Sequence, residues 1–206
     1  MLHSNKRKLT RKDLPMKSLR LLLCALPVVL TGCSTLSAVN WSAAYPWNWF
    51  GSSTEVTEQG VGNLTADTAL EQSAIESALG GDYRLRSGMR TQNGTIIHYF
   101  EALKDDQLAL VINGEKSTVG RIEVLDTEIE TDKGVKIGTP FSDLYQKAYG
   151  NCISVPADDN VTVECKAEGS QHISYQFSGT WNGPEGLMPS DDTLKSWKIS
   201  KIIWQQ

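Results

Sequence analysis

Apolar positions fall into two regimes along this chain. Residues 21–30 form one unbroken run of ten behind a basic stretch. Beyond residue 60 the hydrophobes recur in short alternating or clustered groups separated by turn residues, the pattern of strands joined by tight turns. Strands are expected over 83–89, 95–103, 107–112 and 118–125, with turns at Gln92-Asn93-Gly94, Lys104-Asp105-Asp106 and Asn113-Gly114. Residues 172–177 and 198–206 extend the set. A helix is expected over 68–79, where Thr68-Ala-Leu-Glu71 reads as a capping box, Leu70, Ile75 and Leu79 give an apolar face, and Gly80-Gly81 stops it. A second is expected over 140–148, with Thr139 as N-cap, Pro140 at the first helical position and Gly150 at the stop. The expected fold is α+β: two helices packed on a mainly antiparallel sheet. Each helix follows a Gly-Val, a hydrophobe and a threonine, which leaves open two similar strand–helix–meander halves.

The long run is too short to cross a bilayer. Ten residues at helical rise span about 15 Å, roughly half a hydrocarbon core. Its flanks read as a lipoprotein signal instead: Lys6, Arg7, Lys8, Arg11, Lys12, Lys17 and Arg20 ahead of it, and Leu30-Thr31-Gly32-Cys33 closing it. Met16 begins a self-sufficient signal of its own. Cys33 is the expected lipid attachment point, and several acyl chains there make a durable anchor. Ser34 follows where an aspartate would favour the inner membrane, so the expected address is the outer membrane, facing the periplasm. The expected organisation is a signal over 1–32, a lipidated tether over 33–60 and one periplasmic domain over 61–206. The tether carries Trp41, Tyr45, Trp47, Trp49 and Phe50. Such rings suit either the headgroup zone or the side of the domain.

Removing the signal changes the charge. Residues 33–206 hold 13 Lys/Arg and 23 Asp/Glu, a formal charge of −10 with no basic cluster, which excludes nucleic acid as a partner. Cys152 and Cys165 are then the remaining cysteines. A hairpin turning at Asp158-Asp159 puts them opposite each other, and an oxidising compartment favours a disulfide over two buried thiols. A redox pair would call for Cys-x-x-Cys spacing, which is absent.

Candidate chemistry is sparse. His98 and His172 sit in strand-like runs without metal-ligand spacing, and no hydrolase, phosphate-loop or dinucleotide motif occurs. Asp126, Glu128, Glu130 and Asp132 alternate as a solvated strand edge would. No cofactor or metal is expected. The long segment over 178–195 is the candidate partner-binding loop, with Trp181, Pro184, Met188, Asp191 and Asp192 as contact groups, although a purely structural loop fits the same residues. Two function classes follow. The first is a non-catalytic envelope module that binds a protein, glycan or lipopolysaccharide-associated partner. The second is a small-ligand or hydrolytic domain that uses this loop with a histidine.

Several stretches carry a family resemblance: Leu-Thr-Gly-Cys33-Ser-Thr, Pro46-Trp-Asn-Trp-Phe-Gly-Ser-Ser, Gly134-Val-Lys-Ile-Gly-Thr-Pro-Phe-Ser-Asp-Leu-Tyr and Gly183-Pro-Glu-Gly-Leu-Met-Pro-Ser-Asp-Asp-Thr-Leu-Lys. From Met16 to the C-terminus the chain resembles the YfeY-like lipoproteins of enterobacteria. The resemblance implies a sigma-E-regulated outer-membrane lipoprotein of unknown function. It carries over no catalytic residues, and it implies a start at Met16.

Overall fold

A computed structural model describes residues 54–206, apart from 93, 115–116, 158–159 and 185. A four-stranded sheet is built from β1 (Glu55–Thr57), β2 (Gly60–Val61), β3 (Leu64–Thr65) and β8 (Glu130–Thr131), in the order β3-β2-β1-β8. The larger sheet holds β4 (Arg84–Gln92), β5 (Thr95–Lys104), β6 (Gln107–Asn113), β7 (Arg121–Val124), β9 (Cys152–Ala157), β10 (Asn160–Lys166), β11 (Ile173–Ser178) and β12 (Lys198–Gln205). Its order, β4-β5-β6-β7-β12-β11-β10-β9, joins two antiparallel meanders through β7 and β12. Three short helices complete the described residues: α1 (Gln72–Leu79), α2 (Phe141–Leu144) and α3 (Asp191–Leu194).

The expected α+β fold with two packed helices is therefore corrected to a mainly β architecture, with twelve strands in two sheets among the described residues. Local competition explains why the first expected helix loses its opening turn while still ending at Leu79–Gly80. Ala69 bridges to Thr118 and the Leu70 amide donates to the Ser117 carbonyl, so residues 68–70 are held as extended chain. The Thr68 hydroxyl accepts from the Thr65 amide rather than capping a helix, and α1 starts at an N-cap, Glu71, that makes no side-chain cap bond. At the second site Pro140 is the N-cap, and Tyr145 turns extended after one helical turn. Its ring packs 5.2 Å from Phe141 and 5.9 Å from Phe177, and its hydroxyl donates to the Lys166 carbonyl. That burial pushes the phenol well above its ordinary pKa. Sequence reasoning missed α3, which is signalled by Ser190: its hydroxyl accepts from the Thr193 amide.

Register, more than helix propensity, organises the core. One row crosses all eight strands of the large sheet: Leu85, Ala102, Leu110, Val124, Ile202, Tyr175, Cys165 and Cys152. Because side chains alternate between faces, this row defines the core face. Val56, Val61 and Leu64 of the small sheet, with Ile75, Phe141 and Leu194 of the helices, belong to the same buried cluster. Val56 is fully buried, so the domain begins inside the stretch expected to be tether. The Trp204 indole N–H donates to the Glu58 carbonyl and ties the β1–β2 turn to β12.

The opposite face carries charge. Glu123 on β7 is largely buried and lies 2.9 Å from Lys201 Nζ and 3.2 Å from Arg121 Nε. Burial alone would raise its pKa, but Lys201 and Arg121 outweigh that and hold it below the ordinary glutamate range. A lowered folded-state pKa means the stabilisation is present above the unfolded value and is lost as pH falls through the folded one. The acidic run reads differently from the expected strand edge. Only Glu130 lies in a strand, while the Asp126 carboxylate accepts from the Glu128 amide in a turn. Glu123→Gln is expected to cost about 1–3 kcal/mol at neutral pH and to flatten the loss of stability below the carboxylate range. Denaturant melts of both proteins across acid pH check this.

Candidate functional site

The segment from Ser178 to α3 is built on tryptophan–glycine contacts. Gly183 lies under the Trp181 indole, where a Cβ would sit 2.0 Å from a ring carbon, and Gly179 is as tightly placed under Trp197, at 2.3 Å. Only glycine fits such close approaches. Trp181 is half-buried against the core, and its N–H donates to the Pro184 carbonyl at 3.2 Å. Asp191 Oδ1 accepts from the Ala148 amide at 2.8 Å, so the loop's C-terminal root is bonded to the α2–β9 connection.

These contacts divide the candidate residues by role. Trp181 and Asp191 hold the loop in place. Asp192 pairs with Lys195 at 2.7 Å on the exposed side of α3, and that ion pair lowers the Asp192 pKa. Pro184 and Met188 are exposed. Sequence reasoning missed two apolar neighbours. Leu187 is 56% exposed, and Tyr149, one residue from the Ala148–Asp191 bond, is 87% exposed. Hydropathy alone could not find them, because each has the composition of a core residue; the Gly-Pro-Glu-Gly ahead of Leu187 was the available signal.

The histidines do not form a site together. His98 lies on β5 and His172 precedes β11, with β6, β7 and β12 between them. His172 stacks on Trp204 at 6.0 Å and bonds through Nδ1 to the Gln205 carbonyl. Among the described residues no three His, Cys, Asp or Glu side chains converge as a metal site would require. A cavity of about 380 Å³ opens between the β5–β6 turn and the segment after β7, lined by Lys104, Gln107, Leu108, Asp126 and Glu128 among others. Three of its charged groups interact with one another. Lys104 Nζ lies 2.7 Å from Glu128 and 3.6 Å from Asp126, and the Glu128 bond raises the lysine pKa. The lining holds no histidine, cysteine or serine.

Cys152 and Cys165 face each other across β9 and β10, bonded at an S–S distance of 2.11 Å. The bridge continues the core row at the β9 edge. Cys33, Trp41, Tyr45, Trp47, Trp49 and Phe50 lie outside the described residues.

Comparisons with known proteins agree on kinship and are silent on chemistry. A family model described as a protein of unknown function, DUF1131, matches residues 38–206. The uncharacterized protein YfeY of Escherichia coli strain K12 is 70% identical over 191 residues, covering 93% of this chain and all of that protein. A crystal structure of the uncharacterized yfeY protein from Escherichia coli shares 66% identity and superposes with a TM-score of 0.68. That match covers 74% of this chain and all of the solved one.

The disulfide generates a prediction. Its cysteines are 13 positions apart, and closing a loop of that size is worth about 3 kcal/mol in the chain-entropy model. The Cys152→Ser/Cys165→Ser double variant is expected to lose up to that amount in a denaturant melt. Electrophoresis of the wild type should show a mobility change on reduction that the variant lacks.

Proposed function

The chain belongs to the DUF1131 family of proteins of unknown function, and we propose that it is a lipid-anchored binding module of the bacterial envelope. In this reading Cys33 is acylated and the domain faces the periplasm from the outer membrane. It acts by holding an envelope protein, glycan or lipopolysaccharide-associated partner, without catalysis. Leu30-Thr31-Gly32-Cys33 behind a basic and then apolar leader supports the address. A disulfide at the sheet edge suits an oxidising compartment.

The observation that carries the binding role is the pinned loop. Leu187, Met188 and Tyr149 present apolar side chains to solvent from segments joined by the Asp191–Ala148 bond. Exposed apolar groups on a pre-ordered loop lose little conformational freedom on binding, which favours recognition. The ion-paired cavity and the separated histidines give the hydrolytic alternative no comparable support.

The address is tested by metabolic labelling with a tagged palmitate and density fractionation of the envelope. The wild type should carry label and float with outer-membrane markers, whereas Cys33→Ser should carry none and appear in the soluble periplasmic fraction. An unlabelled wild type, or a labelled one in the inner membrane, contradicts the corresponding half of the reading.

A further inference from the structure

Along the strands, the end opposite the 178–190 loop is formed by the tip of the β4–β5 hairpin. The register places Ser178 and Lys198 at one end of the large sheet, and Tyr99, Asn113, Arg121 and Gln205 near the other. Residues 95–98 pair with β4 but not with β6, so the hairpin runs on as a two-stranded arm. Four residues of strand extend it by about 13 Å.

This arm has unusual chemistry for the chain. Met89 pairs with His98 and Thr91 with Ile96, so all four share the face that, farther along, buries Ala102 and Leu110. Past β6 that face loses its cover, and Met89 and Ile96 are 67% and 66% exposed. From Tyr83 to Phe100 there is no acidic residue, in a segment whose flanks hold all 23 acids of residues 33–206. Arg84 and Arg86 are bound to Asp106 and Glu101, at 2.6 Å each. Arg90 has no carboxylate partner among the described residues; its guanidinium lies 5.6 Å from the centre of the Tyr99 ring. The arm thus exposes Met89 and Ile96 on one face, and Arg90 beside Tyr99 on the other, behind a polar turn and on a chain that is otherwise strongly anionic.

We propose that this tip docks on an anionic lipid surface, with Met89 and Ile96 at the acyl boundary and Arg90 against lipid phosphate. The inference rests on the anchored reading for the domain's nearness to a bilayer. The 21 residues from Cys33 to Thr54 span at most about 70 Å when extended, which keeps the arm within reach of the surface at high effective concentration. Self-association is the weaker alternative: antiparallel pairing of two β4 strands about Gly88 sets Arg86 against Arg90 of the other copy, and like charges directly opposite repel. Docking at the tip leaves the 178–190 loop at the far ends of the strands, directed away from the bilayer.

The test separates the tip from natural acylation. Residues 33–206 with Cys33→Ser and an N-terminal histidine tag are tethered to vesicles through a nickel-chelating lipid, with phosphatidylglycerol or with phosphatidylcholine alone. An environment-sensitive fluorophore is placed at Ile96→Cys or, as control, at Lys195→Cys. On phosphatidylglycerol the Ile96 probe should shift to the blue and be quenched at least twofold by brominated acyl chains. The Lys195 probe should stay in water, and Arg90→Glu should return the Ile96 probe to water. An Ile96 probe unquenched on every vesicle, quenched equally with the control, or indifferent to Arg90→Glu overturns the proposal. Absence of quenching together with dimers in solution would assign the arm to a second copy. Failure of palmitate labelling in cells would remove the natural anchor while leaving this result unchanged.

Discussion

Everything else in the fold depends on the pairing of β7 with β12. Each meander assembles from neighbouring strands, but only this ladder makes them one sheet, through Val124 with Ile202 and Ile122 with Trp204. The contact is long-range: Arg121 and Gln205, hydrogen-bonded at 2.7 Å, are 84 positions apart. Closing so distant a contact is slow and comes after local hairpins. It also needs the two meanders to agree in register, since a slip of one residue turns Ile202 and Trp204 to the wrong face. The Glu123–Lys201 pair sits on that junction and favours one register, because a slipped strand takes Lys201 away from a buried carboxylate and leaves it Arg121 alone.

The two ends of the sheet then diverge in chemistry. At one end the Phe141–Tyr145–Phe177 cluster and the tryptophan-supported loop restrict motion, and the core row closes on the disulfide at the β9 edge. At the other a two-stranded arm leaves the core face behind. The two sheet edges differ as well. Pro156 on β9 has no amide proton to offer an added strand, whereas β4 has no proline along its nine residues. Arginines on β4 take over the task of discouraging self-pairing.

Much of the strand content was legible in the sequence, because period-two patterning and turn residues are local. The β5 and β6 runs begin where the residues 95 and 107 signalled. Helix lengths were overestimated because cap patterns are also local: Thr68 and Glu71 carry the signature of a helix start, yet backbone bonds to the Ser117 carbonyl and from the Val119 amide compete for that stretch. The short strands β1 to β3 have too few residues for any period to show, and Val56 is recognisable as core only once β8 lies beside it. At the loop, Trp181 and Asp191 drew notice as contact groups through their residue type. Their hydrogen bonds to Pro184 and Ala148 give them structural roles that no spacing rule conveys. Tyr149 and Leu187 escaped notice because exposure is a tertiary property.

The proposed function joins an address read from the leader sequence to a surface presented by the fold. Exposed Leu187, Met188 and Tyr149, on segments joined by the Asp191–Ala148 bond, are the observation behind the proposed recognition role. The most direct measurement is photocrosslinking in living cells, with a photoreactive amino acid at Met188 or, for comparison, at Thr127 in the lysine-lined cavity. The account predicts discrete adducts with an envelope component from Met188 and none from Thr127. Adducts from Thr127 alone, or none from Met188, would contradict it.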